Sequence, residues 1–93
     1  MAIKYVILYH PKVVHDDIPL LTKAWRDKVR IAIEEKLLNS PEIFGKPLRR
    51  TLKNYRKLRV GDYRIVFRLE KRGVIIFAIQ HRSVVYKIIM QRL

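Results

Sequence analysis

The stretch Tyr55–Arg68, YRKLRVGDYRIVFR, decides the fold. It reads as two β-strands closed by Gly61-Asp62, the second strand running on to Glu70. A two-residue Gly-Asp loop supplies the positive φ that tight hairpins require. Strand side chains alternate between faces. The loop therefore predicts that Val60 pairs with Tyr63, Arg59 with Arg64, Leu58 with Ile65, Lys57 with Val66 and Tyr55 with Arg68. One face then holds Leu58, Val60, Tyr63, Ile65, Phe67 and Leu69, an apolar set suited to packing under helices. The other holds Tyr55, Lys57, Arg59, Arg64 and Arg68. Arg56 falls on the apolar side near the strand's start, where its long stem can carry the charge to solvent.

Arg59 opposite Arg64 is a like-charge cross-strand pair, costing about 0.2–1 kcal/mol when exposed. No Asp or Glu is supplied to relieve it. An arginine-solubilised sheet face is the plain explanation. An anion site is the sharper one, since the planar guanidinium matches phosphate oxygens. The whole chain supports the second. It carries 21 Lys and Arg against eight Asp and Glu, a formal charge of +13. Such a field attracts RNA, DNA, an acidic protein or an anionic membrane surface. Lys46, Arg49, Arg50 and Lys53 extend the basic surface from the loop before the hairpin.

Outward from the hairpin, Lys71-Arg72-Gly73 makes a turn into a strand over Val74–His81. Alternation there groups Ile76, Ala78, Gln80 and Arg82 on one side. Val85, Ile88 and Ile89 are spaced for a short terminal helix that covers part of the core, with Tyr86 at its start. Upstream, IKYVILY (Ile3–Tyr9) is β-branched and aromatic and reads as a well-buried strand ending at His10-Pro11. Helix follows in VVHDDIPLL, interrupted by Pro19. Thr22 caps a second helix whose Trp25, Val29, Ala32, Ile33 and Leu37 form one apolar stripe. Asn39-Ser40-Pro41 ends it, and the chain from Pro41 to Asn54 reads as irregular. The expectation is one α+β domain over residues 1–93, β-α-α-β-β-β(-α). A helical hairpin covers one face of a mainly antiparallel four-stranded sheet.

Composition narrows the chemistry. There is no cysteine, hence no disulfide, thiol nucleophile or Cys-ligated zinc. This agrees with a cytoplasmic location, as does the absence of a signal-peptide pattern. The longest apolar run, Val74–Ile79, is too short to span a bilayer. His10, His15 and His81 match no metal spacing, so neither a metal nor another cofactor is expected. The three glycines form no phosphate loop, and Asp16-Asp17, being adjacent on a helix, do not face each other.

Lys, Arg, Tyr and His remain, and they suffice for one reaction. RNA cleavage by the neighbouring 2′-OH needs proton removal, stabilisation of the charged phosphorane, and protonation of the leaving 5′-oxygen. Fixed cations supply the stabilisation, and a lysine crowded by arginines is favoured in its neutral, basic form. Lys57, among Arg59, Arg64 and Arg68, has those surroundings. DNA lacks the 2′-OH, so this route is specific to RNA.

The run PLRRTLKNYRKLRVGDYRIVFRLEKRGVIIFAIQHRSVVYK, preceded by a strand and two helices, resembles the RelE/ParE superfamily of bacterial and archaeal toxins. The resemblance covers nearly the whole chain and is most specific in the hairpin and the HR…VY ending. It implies a compact toxin neutralised by a cognate antitoxin that wraps around it. RelE-type members cut mRNA in the ribosomal A site without metal, leaving a 2′,3′-cyclic phosphate. By motif, Lys57 matches a lysine of the catalytic strand and Arg64 the arginine that holds the scissile phosphate. Arg82 matches an acid or charge stabiliser, and Tyr86 a tyrosine that stacks on or orients the base. Tyr55 stands where the RelE-type pattern has a second lysine, with Arg59 or Lys53 as possible substitutes. His81 is a further acid–base candidate, although alternation turns it to the other face. ParE-type toxins, which inhibit DNA gyrase, are the alternative, and a non-catalytic RNA- or ribosome-binding domain is a third.

Overall fold

A computed structural model describes residues 5–93. Its elements run β1 (Val6–Tyr9), α1 (residues 11–20), α2 (Lys23–Ala32, continued by a wider-wound turn at Ile33–Leu37), α3 (Pro41–Phe44), β2 (Lys46–Pro47), β3 (Tyr55–Val60), β4 (Tyr63–Glu70), β5 (Gly73–His81) and α4 (Val85–Arg92). The strands form one sheet in the order β1-β5-β4-β3-β2, antiparallel except for β1 beside β5. The architecture is the expected α+β arrangement with a fifth, two-residue strand.

The hairpin register matches the expectation from Tyr55↔Arg68 through Arg59↔Arg64 to Val60↔Tyr63. Gly61 at the turn has φ 57°, and a Cβ there would meet the Trp25 ring at 2.6 Å. Glycine thus serves both the turn and the close passage of α2. Thr22 caps α2, its Oγ1 accepting from the Trp25 N–H at 3.3 Å. Val29, Ala32, Ile33 and Leu37 pack with Leu58, Ile65, Phe67, Val74, Ile76 and Ile79 to form the main core, with Trp25 at its margin.

The opposite face is only partly basic. Val66, Phe77 and Ala78 lie there under Val85 and Ile89 of α4, closed at one side by Leu48 and Leu52. A bulge between Val66/Phe67 and β5 makes this second core possible. Strict alternation puts Ile76 and Ala78 on one side. With the extra residue at the bulge, Ile76 faces the main core and Ala78 the second.

Four further expectations need correction. First, β1 is not well buried: Val6, Leu8 and Tyr9 are exposed, because β1 is an edge strand paired only with Gly73–Ile76. Ile3 and Lys4 lie outside the described residues. Second, Pro19 does not interrupt α1. Its preceding turn, Val13–Asp17, is wound wide, with the Ile18 N–H bonded to the Val13 carbonyl. Pro19 then falls at the start of the closing turn, Ile18–Leu20, where its missing N–H costs little. Third, the supposedly irregular 41–54 segment contains α3, β2 and a single turn at Arg50–Leu52. Fourth, the sheet has a fifth strand, β2, whose Lys46 pairs with Lys57.

Asp17 ties the two helical layers together. Its buried carboxylate accepts from the Ile79 N–H (2.9 Å) on the part of β5 that β1 leaves unpaired, and from Gln80. Arg92, at the end of α4, reaches round this edge and pairs with both carboxylate oxygens, at 2.8 and 2.5 Å. Its Nη1 also donates to the Phe77 carbonyl at 3.0 Å. One buried pair thus anchors α1 and α4, which lie on opposite faces of the sheet.

Candidate functional site

Lys57 is the centre of the basic face. Its Nζ donates to the Tyr86 hydroxyl at 2.9 Å and lies 5.5 Å from the centroid of that ring. Tyr86 reaches it because Val85 and Ile89 seat α4 on the second core. Two surface hollows meet at Lys57. One, of about 480 Å³, is lined by Pro47, Leu48, Arg49, Leu52, Lys57 and Tyr86. The other, of about 410 Å³, is lined by Lys36, Phe44, Lys46, Lys57, Arg59 and Arg64, with Leu58 behind them. Neither has a carboxylate in its lining.

Arg64 curls back over the hairpin turn, its Nη1 donating to the carbonyls of Gly61 (2.9 Å) and Tyr63 (3.0 Å). Those bonds fix the guanidinium and leave its remaining N–H groups for an incoming anion. Arg82 is exposed at the same end of the sheet. Its backbone N–H donates to the Asp62 carbonyl at 2.8 Å, and its Nε lies 3.8 Å from the Asp62 carboxylate. Arg59 is exposed and makes no ion pair among the described residues.

The other expected residues are arranged differently. Tyr55 is half-buried, its ring 4.9 Å from Phe77 and at the margin of the second core. Arg68 lies beside Tyr55 and is engaged by Glu70 at 2.7 Å. Arg50 and Lys53 sit in the turn before β3, exposed and outside both hollows. His81 faces the helical side, edge-on to Tyr63. Its Nδ1 accepts from the Ser83 N–H at 3.2 Å. Among the described residues no group of three His, Asp or Glu side chains could hold a metal ion. A third hollow, about 460 Å³, lies on the helical side over Ile18, Leu21, Val29, Ile33 and Ile79. It is mainly apolar and holds none of the expected site residues.

Residues 12–86 match the family described as the ParE toxin of type II toxin-antitoxin systems, parDE. The chain is a member of this toxin family. The toxin is also similar to a chain of the RelBE2 toxin–antitoxin complex from Mycobacterium tuberculosis, at 26% identity and TM-score 0.79. That match covers 87% of this chain and 94% of that chain. It is similar to a chain of the RelB–RelE complex from Methanococcus jannaschii, at 25% identity and TM-score 0.66, covering 85% and 94% respectively. A mutant of the Escherichia coli toxin RelE, bound to an antitoxin peptide, shares the fold alone at 19% identity. Its TM-score is 0.66, with 92% and 95% covered. No protein of curated function matched significantly.

Two residues of the toxin's basic face escaped the sequence reading. Lys36 and Phe44 stand beside Lys57 only because the α2–α3 connection folds against β2 and β3, a long-range placement with no local pattern. Arg56 was legible only as an anomaly. Its guanidinium clamps the α3 turn, donating to the carbonyls of Glu42 (3.3 Å) and Gly45 (3.0 Å).

Proposed function

We propose that this toxin is a metal-independent endoribonuclease that cuts mRNA, in the RelE manner, at the ribosomal A site. The observation that carries the reading is Lys57 bonded to Tyr86 beside Lys46, Arg59 and Arg64, with no carboxylate lining either hollow. The missing counter-charge is a phosphodiester. In the reaction the 2′-oxygen attacks the adjacent phosphorus and the P–O5′ bond breaks. The products are a 2′,3′-cyclic phosphate and a 5′-hydroxyl. Lys57 and Tyr86 are the pair suited to take the 2′-OH proton and return one to the departing oxygen. Arg64 holds the phosphate. Arg82 stabilises the developing charge, since a guanidinium does not give up its proton. A cognate antitoxin, as in the RelB complexes, is the expected protein partner, and cytoplasmic mRNA on the ribosome the substrate.

The family match itself favours a second reading, a ParE-type toxin acting on DNA gyrase. Primer extension on mRNA from induced cells separates the two. Cuts within translated codons support the nuclease, whereas intact transcripts with gyrase-linked DNA breaks support the second reading.

A further inference from the structure

Lys57 stands between two hollows, and each presents one exposed aromatic ring. Tyr86, 47% exposed, lines the first; Phe44, 42% exposed, lines the second. Phe44 belongs to neither apolar core. Every charged residue around it in that hollow is a cation: Lys36, Lys46, Lys57, Arg59 and Arg64. The ammonium of Lys36 lies 5.7 Å from the Phe44 centroid, close enough for a weak cation–π contact.

The ring is presented by a constrained turn. Pro41 is buried and opens α3. Gly45 closes it where any Cβ would run into the Phe67 ring and crowd Arg56. The Arg56 guanidinium then binds the carbonyls of Glu42 and Gly45 from beneath. A half-buried arginine, an obligatory glycine and a buried proline thus hold in place a turn whose phenyl ring faces water. Packing does not account for leaving that ring uncovered.

We propose that the Phe44 hollow is a nucleotide subsite for single-stranded RNA. The base on one side of the scissile linkage at Lys57 stacks on Phe44, and the base on the other side meets Tyr86. Lys46, Arg59 and Arg64 hold the backbone between them. Aromatic platforms interleaved with cations bind single strands because every base has a π-face and every linkage a charge. On binding, Lys36 exchanges the ring for a phosphate oxygen. The proposal rests on the RNA-cleaving reading for its ligand, but it concerns binding rather than cleavage.

The test uses the full-length protein and tetranucleotides that are 2′-O-methylated throughout and so cannot be cut. Each carries 2-aminopurine immediately 5′ or immediately 3′ of the central linkage, and stacking quenches its fluorescence. The wild type quenches both probes. Phe44→Leu, which keeps apolar volume without a π-face, loses the quench on one side only and weakens Kd by about tenfold. Tyr86→Leu loses the quench on the other side, and Phe44→Trp behaves as wild type. Unchanged binding and quenching by Phe44→Leu, or no binding by the wild type, overturns the subsite. Cleavage of translated mRNA is scored in parallel. Phe44-dependent binding without cutting sinks the nuclease reading and leaves the subsite standing. Cutting and binding that ignore Phe44 do the reverse.

Discussion

Two clusters of charge occupy different parts of this sheet and are built on opposite plans. At the free stretch of β5, Asp17 and Arg92 are almost wholly buried and satisfy each other, with Gln80, the Ile79 N–H and the Phe77 carbonyl completing the set. On β2, β3 and β4, Lys46, Lys57, Arg59 and Arg64 stand together with no carboxylate among them. The first cluster is neutralised from within and holds two helical layers to one edge. The second has no carboxylate in its hollow, and under the proposed function a phosphodiester neutralises it.

The comparison is broken most severely at the buried pair. Arg92→Ala leaves Asp17 buried and short of a cation, a change that costs about 3–5 kcal/mol. Denaturant titration should report that loss, and a drop below about 1 kcal/mol, the scale of an exposed pair, would mean the pair is not the anchor described here. Removal of a cation from the basic face, in the second cluster or at neighbouring Arg82, should leave the fold intact and strike activity. Arg64→Ala or Arg82→Ala is expected to abolish toxicity, with loss of one fixed stabilising donor worth about 10²–10³ in rate. Growth of induced cells checks it, circular dichroism confirming an intact fold; full toxicity in both variants refutes the site.

Smaller effects sharpen the same contrast. Arg59→Gln relieves the Arg59–Arg64 repulsion and should raise stability by about 0.2–1 kcal/mol while weakening toxicity. A variant less stable than the wild type, or equally toxic, would show that the facing arginines are not held for a ligand. Smallest of all, Glu70→Gln removes the exposed partner of Arg68, and the expected loss is at most about 1 kcal/mol, with toxicity unchanged.

The hairpin was the most legible part of the molecule. Its loop fixes a register, the register fixes two faces, and both were readable from spacing alone. The α2 stripe and its Thr22 cap were equally local and equally visible. What escaped was set by distant contacts. The apolar VILY run is an exposed edge because only four residues of β5 pair with it. The Phe77 bulge sends Ile76 and Ala78 to different faces, and it shows only in the pairing of β4 with β5 and the packing of α4 over Val66 and Phe77. Asp17 gave no local sign of burial, since its partners lie 62 to 75 residues away. Within the site, Lys57, Arg59 and Arg64 were readable from alternation. Arg82 was placed by alternation and Tyr86 by the terminal helix, their roles resting on the family resemblance, and Lys36 and Phe44 were invisible.

The most direct test of the account is a reconstituted one: purified toxin, programmed ribosomes and an end-labelled mRNA of known frame. The cation cluster predicts new 3′ ends bearing a 2′,3′-cyclic phosphate within the A-site codon, formed by the wild type and absent with Arg64→Ala. Intact mRNA under those conditions, together with inhibition of gyrase supercoiling by the same protein, would contradict it.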